Sequence, residues 1–179
     1  SIPCNMDVES FYQPFIASAT RLIVGFGLGY KDAVSVLCAF ADPMHSAGYI
    51  SLASRIMLSN KKTYKKKNDL GYHLAVIVSR LDGNIRVPPL RFGKYAHYAA
   101  PSRVEWLRIT REMASDFQAV FSKARVSKPD YLFLCKSTLR NLAGVGLLKA
   151  NHLIRVCSLL GLLPLALFSQ IEGGAAKAY

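Results

Sequence analysis

Apolar residues recur at helical spacing over much of this chain. Val8, Phe11, Tyr12, Phe15, Ile16, Ala19, Leu22 and Ile23 mark one face of a first helix, with Asn5 placed to cap it and Gly25 to end it. The run Gly25-Phe-Gly-Leu-Gly29 breaks the pattern. A second helix is expected over Tyr30–Ala41, stopping at Asp42-Pro43, because the residue before a proline avoids helical backbone angles. A third is expected from Met44 to Leu58.

The pattern then changes. Asn60 to Asp69 is almost devoid of apolar residues and reads as a solvated loop. Tyr72–Arg80 is rich in β-formers, Asp82-Gly83 is a turn signal, and Asn84–Val87 leads to Pro88-Pro89. Two β-rich runs around an Asp-Gly predict a hairpin over residues 72–87. Arg91 to Pro101 reads as an aromatic, basic loop. A long helix follows from Ser102 to Ala124, with Trp106, Thr110, Met113, Phe117, Val120, Phe121 and Ala124 on its inner face. Two shorter helices, Asp130–Asn141 and Leu147–Leu160, complete the pattern, and 173–179 reads as a flexible tail.

The expected fold is therefore mainly α, of the α+β class: a helical domain with one β-hairpin and a C-terminal helix-turn-helix. Three helices followed by a hairpin is also the order of a winged-helix unit. The expected organisation is a first region, 1–128, with a basic middle at 60–111, and a second, 129–172, packed on it. At 179 residues, 51% of them hydrophobic, the chain can bury a substantial core.

Charge changes the picture from fold to partner. The net charge is +12 and the pI is near 9.7. Between Asn60 and Arg111, 12 Lys or Arg face 3 acidic residues, Asp69, Asp82 and Glu105. Such an excess concentrates polyanions, nucleic acid first among them. Lys61, Lys62, Lys65, Lys66 and Lys67 are candidate phosphate contacts; so are Arg91 and Lys94, which alternate with aromatic rings in Arg91-Phe-Gly-Lys-Tyr-Ala-His-Tyr98. The plainer reading of that strip is a loop whose rings are tucked into the core.

One short segment carries a recognisable arrangement. Leu139, Leu142, Gly144, Val145, Gly146, Ala150 and Leu153 follow the order apolar, apolar, Gly, apolar, Gly, small, apolar. This resembles the helix-hairpin-helix motif, over about 20 residues, with Ala143 where that family usually carries proline and Leu147-Leu148 where it often carries polar residues or proline. The resemblance implies a grip on a sugar-phosphate backbone without base reading. Gly144, Val145 and Gly146 would bring main-chain amides to a phosphate at a helix N-terminus, and Lys149 and Arg155 would add charge. The same glycines and alanine also occur in simple close packing of helices. A second match, Phe26-Gly-Leu-Gly-Tyr-Lys-Asp-Ala33, repeats the glycines and the alanine; paired hairpins of this kind can straddle a duplex.

Nothing in the chain suggests a catalytic centre. Acidic residues are few and scattered, and His45, His73, His97 and His152 are isolated. Cys4, Cys38, Cys135 and Cys157 lack metal-ligand spacing, so no metal or cofactor is expected. Widely spaced free thiols fit an intracellular, reducing compartment. No apolar run reaches the roughly 20 residues of a membrane span, and no membrane partner is expected. Ser1 in place of a methionine suggests excision from something longer. The function expected is non-enzymatic binding of nucleic acid, DNA before RNA, with little sequence specificity. The alternative is a viral nucleocapsid or ribonucleoprotein assembly subunit that coats RNA or single strands and self-associates through 159–168.

Overall fold

A computed structural model describes residues 8–40, 43–65, 69–82, 102–142 and 145–164. Among them all regular structure is helical: α1 (Val8–Phe26), α2 (Tyr30–Cys38), α3 (Pro43–Ser59), α4 (Lys61–Lys65), α5 (Leu70–Asp82), α6 (Arg103–Phe121), α7 (Lys128–Asn141) and α8 (Leu147–Leu159).

The expected α+β class is therefore wrong, and with it the winged-helix order. Residues read as the first strand form α5. Leu70, Leu74 and Val78 are buried at spacings of four, a helical period and not the alternation of a strand. The β-branched residues Val76, Ile77 and Val78 lower helix propensity by only a few tenths of a kcal/mol each, roughly. Packing on α2 outweighs that cost. Asp69 starts the helix, its carboxylate accepting from the Tyr72 N–H. Gly71 then lets the first turn lie directly on α2, where a Cβ would come within 2.6 Å of the Ser35 carbonyl oxygen. The second expected strand, 84–87, lies outside the described residues. So does the aromatic loop from Arg91.

The helix ends have local causes. Gly27 adopts φ +62° after α1, a conformation that favours glycine. The Ser102 hydroxyl accepts from the Glu105 N–H and starts α6. Ser127 and Asp130 form a reciprocal capping box at α7, with Pro129 in the first turn, where a missing N–H costs nothing. The lysine stretch read as loop contains a short helix, α4, with no buried residue.

Tyr12, Phe15, Ala19 and Leu22 form the inner stripe of α1, which packs chiefly on α3. Ser54 Oγ donates to the Ser18 carbonyl at 3.4 Å and Leu58 lies against Gly25, so the two helices run in the same direction. Trp106, Met113 and Phe117 seal α6 onto the same core. Full burial of side chains of this size contributes about 1.5–3 kcal/mol each.

The centre of the bundle is α8. Every residue from Ala150 to Ser158 is buried, with α1, α2, α3 and α7 around it. Within the expected second region, α8 thus packs against α1, α2 and α3 of the first. The core is continuous from Tyr12 to Leu163. Several of its polar residues find partners within it. Tyr131 donates to Asn151 Oδ1 at 2.7 Å, the Tyr12 hydroxyl and His152 Nδ1 share a short hydrogen bond, and the Phe11 ring stacks on the His152 ring.

Candidate nucleic-acid interface

Of the C-terminal hairpin, the two helices α7 and α8 and the turn residues Val145 and Gly146 are described. Ala143 and Gly144 lie outside the described residues. Val145 is buried, and Gly146 is exposed at the N-cap of α8 in extended conformation, φ −89° and ψ −179°. No side chain caps that end and no acidic residue lies in the first turn. A Cβ at Gly146 would meet nothing within 4 Å. Neither its backbone angles nor its surroundings require glycine. Ala150, Leu142 and Leu153 are buried as the motif requires.

Two side chains lie where the motif reading did not put them. Leu139, expected inside, is 39% exposed. Arg155, expected to reach a phosphate, is 3% exposed, because α8 is surrounded by helices and has no outer face at that level. Lys149 is half-buried. What the hairpin shows to solvent beside Gly146 is Leu148, at 48% exposure.

The lysine cluster is different. Lys61, Lys62 and Lys65 are all exposed on α4, and none forms an ion pair among the described residues. Lys61 Nζ lies 5.9 Å from the centre of the Phe26 ring. Lys66, Lys67, Arg91 and Lys94 lie outside the described residues. The fold adds two cations that sequence reading did not single out, Lys31 in the first turn of α2 and Arg111 on α6. Both line a cleft of about 390 Å³ together with Asp32, Ser35, Gly71 and Thr110. A second cleft of about 220 Å³, lined by Phe26, Tyr64 and Lys65, adjoins it through Asp32 and Leu70. Lys31 lies two residues after a turn flagged as a second hairpin, and Arg111 belonged to the basic middle; only tertiary structure brings them together.

Four other cations are paired with acids, while Arg21, Arg55, Arg125 and Lys136 are exposed on separate elements without ion pairs among the described residues. Arg108 bridges Glu105 and Glu112, Arg140 meets Asp116 at 2.7 Å, Lys123 meets Asp130 at 2.6 Å, and Arg103 meets Asp69 at 3.3 Å. Lys123 and the Ser127 cap hold the Asp130 carboxyl below its ordinary value, while burial pushes Asp69 up.

The hairpin and the lysines do not form one surface. Tyr12, near the start of α1, meets His152 in the N-terminal half of α8. Phe26, at the end of α1, lies under Lys61. The 14 residues between them correspond to about 21 Å along a helix. At the lysine end, the Tyr30 hydroxyl donates to the Leu162 carbonyl beyond the C-terminus of α8. The two glycine turns thus lie at opposite ends of the bundle, not side by side as a pair straddling a duplex would require.

No grouping of three His, Cys, Asp or Glu side chains suited to a metal occurs among the described residues. Burial pushes the Cys38 thiol up to about 12 and Cys135 to about 11, and raises Cys157 as well, so these are packing residues and not nucleophiles near neutral pH. Leu163 is buried, and Leu159, Leu160 and Leu162 pack on the chain's own core, so this part of the run expected to mediate self-association is used internally. No helix among the described residues is long and apolar enough to cross a membrane. Comparison with protein-family models, curated proteins and solved structures gives no match.

Proposed function

We propose that the protein binds the sugar-phosphate backbone of nucleic acid with little sequence specificity, through the end of the bundle formed by α4 and the N-termini of α2 and α5. The observation that carries this reading is the grouping of unpaired cations at that end. Lys31, Lys61, Lys62, Lys65 and Arg111 are exposed without ion pairs among the described residues, against one exposed carboxylate lining the clefts, Asp32. Elsewhere Arg103, Arg108, Lys123 and Arg140 are matched to acids, and the unpaired Arg21, Arg55, Arg125 and Lys136 stand singly on different elements. Lysines on a short exposed helix act as point charges that follow a backbone without reading bases. The Gly29 turn adds free amides at the start of α2, which has no side-chain cap.

Filter binding of duplex DNA, single-stranded DNA and single-stranded RNA across a salt series tests the reading. Affinity is expected to fall steeply with salt and to vary little with sequence. Absence of binding at low salt to all three would refute it.

A further inference from the structure

The two adjoining clefts are polar on one side and aromatic on the other. In the larger, Lys31 and Arg111 supply positive charge, Asp32 an exposed carboxylate, and Ser35 a hydroxyl. Ser35 Oγ accepts from the Trp106 indole N–H at 3.1 Å, which leaves its own proton for a further acceptor. Ser35 is more than nine-tenths buried. The smaller cleft holds the Phe26 and Tyr64 rings beside Lys65. Cations that alternate with rings and a carboxylate form a donor-acceptor set too varied for a bare phosphate. A nucleotide presents the matching groups: an anionic phosphate, a flat apolar base face, and an amine at the base edge.

We propose that the larger cleft seats one unpaired nucleotide whose base carries an exocyclic amine, and that the strand continues over Phe26 and Tyr64 toward α4. This rests on the nucleic-acid reading above and narrows it to single strands. Lys31 and Arg111 hold the phosphate. Asp32 accepts from the base amine, as acidic side chains do from cytosine N4. The Phe26 and Tyr64 rings offer faces on which the next base stacks. Asp32 stands between the clefts, so the phosphates pass on their cationic sides and the base edge faces the carboxylate. A base paired in a duplex is committed to its partner and stacked between neighbours, so a cleft of this size excludes it.

The chain has one tryptophan, and its indole is bonded to the cleft wall, so Trp106 emission reports on occupancy. The test titrates the full chain with CMP, UMP, inorganic phosphate and a single-stranded oligocytidylate, following Trp106 emission, with filter binding of the oligonucleotide in parallel. CMP is expected to give a saturable change, and UMP to bind at least about fivefold more weakly because it lacks the amine. Phosphate alone is expected to bind more weakly than either. Asp32→Asn should erase the preference for CMP over UMP. Lys31→Ala and Arg111→Ala, both at exposed positions, should each weaken CMP about tenfold. An oligonucleotide binding far more tightly than CMP identifies the occupant as a unit of a strand; equal affinity overturns the path over Phe26 and Tyr64. Oligonucleotide binding with silent Trp106 emission and no effect of Arg111→Ala overturns the cleft assignment while leaving the backbone-binding reading intact. Failure of every ligand to bind overturns both.

Discussion

The two glycine turns, at Gly29–Ala33 and Gly146–Ala150, begin their helices almost identically and face different surroundings. Each N-cap glycine is extended and exposed, neither end has a side-chain cap, and each glycine carbonyl accepts from the alanine four residues on, at 2.9 and 3.0 Å. Both alanines are buried. Beyond that the turns diverge. The first is followed by Lys31 and lies at the end that carries α4 and Arg111. The second is followed by Leu147 and Leu148, by a half-buried Lys149, and by a helix sealed in the core. Free amides at a helix start are common to both; the charge that makes them useful to a polyanion is present at one. The motif match with more of its positions filled therefore marks the less suitable surface.

Reversing charge at α4 should have the largest effect. The triple variant Lys61→Glu, Lys62→Glu, Lys65→Glu is expected to weaken single-stranded oligonucleotide binding about 100-fold at low salt and to lower the salt slope by about 2. Replacing Leu148 with Glu beside the second turn should change affinity less than about threefold. Filter binding at several salt concentrations checks both, and the reverse ranking would transfer the interface to the hairpin.

Packing separates the two ends next. Gly71→Ala drives a methyl group into the Ser35 backbone and should cost about 2 kcal/mol in urea unfolding. Gly27→Ala forces a side chain into a left-handed conformation and should cost about 1 kcal/mol. Gly146→Ala should change stability by less than about 0.5 kcal/mol, since its angles are ordinary and its surroundings open. A cost at Gly146 equal to that at Gly27 would contradict the described turn.

The smallest effect concerns pH. The Asp130 carboxyl is held below its unfolded value by Lys123 and Ser127. Its contribution is therefore complete above the ordinary carboxylate range and is lost as pH falls through the lowered value. Asp69 has the opposite sign: burial raises it, so its cost to stability is present above that raised value and disappears on acidification. Asp130→Asn should flatten the acid limb of a stability-pH curve and Asp69→Asn should steepen it, as thermal melts across the acid range would reveal.

Much of this fold is legible in the sequence. The face of α1, most of that of α6 and the stop at Gly25–Gly29 follow from periodicity, but Phe121 and Ala124, expected on the inner face of α6, are exposed, and α7 starts two residues before the expected Asp130. Residues 70–82 are helix and not the first strand of a hairpin, because local β-preference in Val76–Val78 is weak beside the burial of Leu70, Leu74 and Val78. Asp69 as a cap and the spacing of those three residues are the local signals for the helix. Arg155 was misplaced because a helix buried on all sides has no polar face to assign. The candidate site was partly visible in Lys61, Lys62 and Lys65. Lys31 and Arg111 are 80 positions apart, and only the packing of α2, α5 and α6 brings them to one cleft.

Hydrogen exchange measured by mass spectrometry, with and without a single-stranded oligonucleotide, discriminates the two turns in one experiment. Slower exchange is expected in 28–35 and 61–65, with 145–150 unchanged. Protection confined to 145–150 would place the nucleic acid on the hairpin and contradict the assignment made to the α4 end.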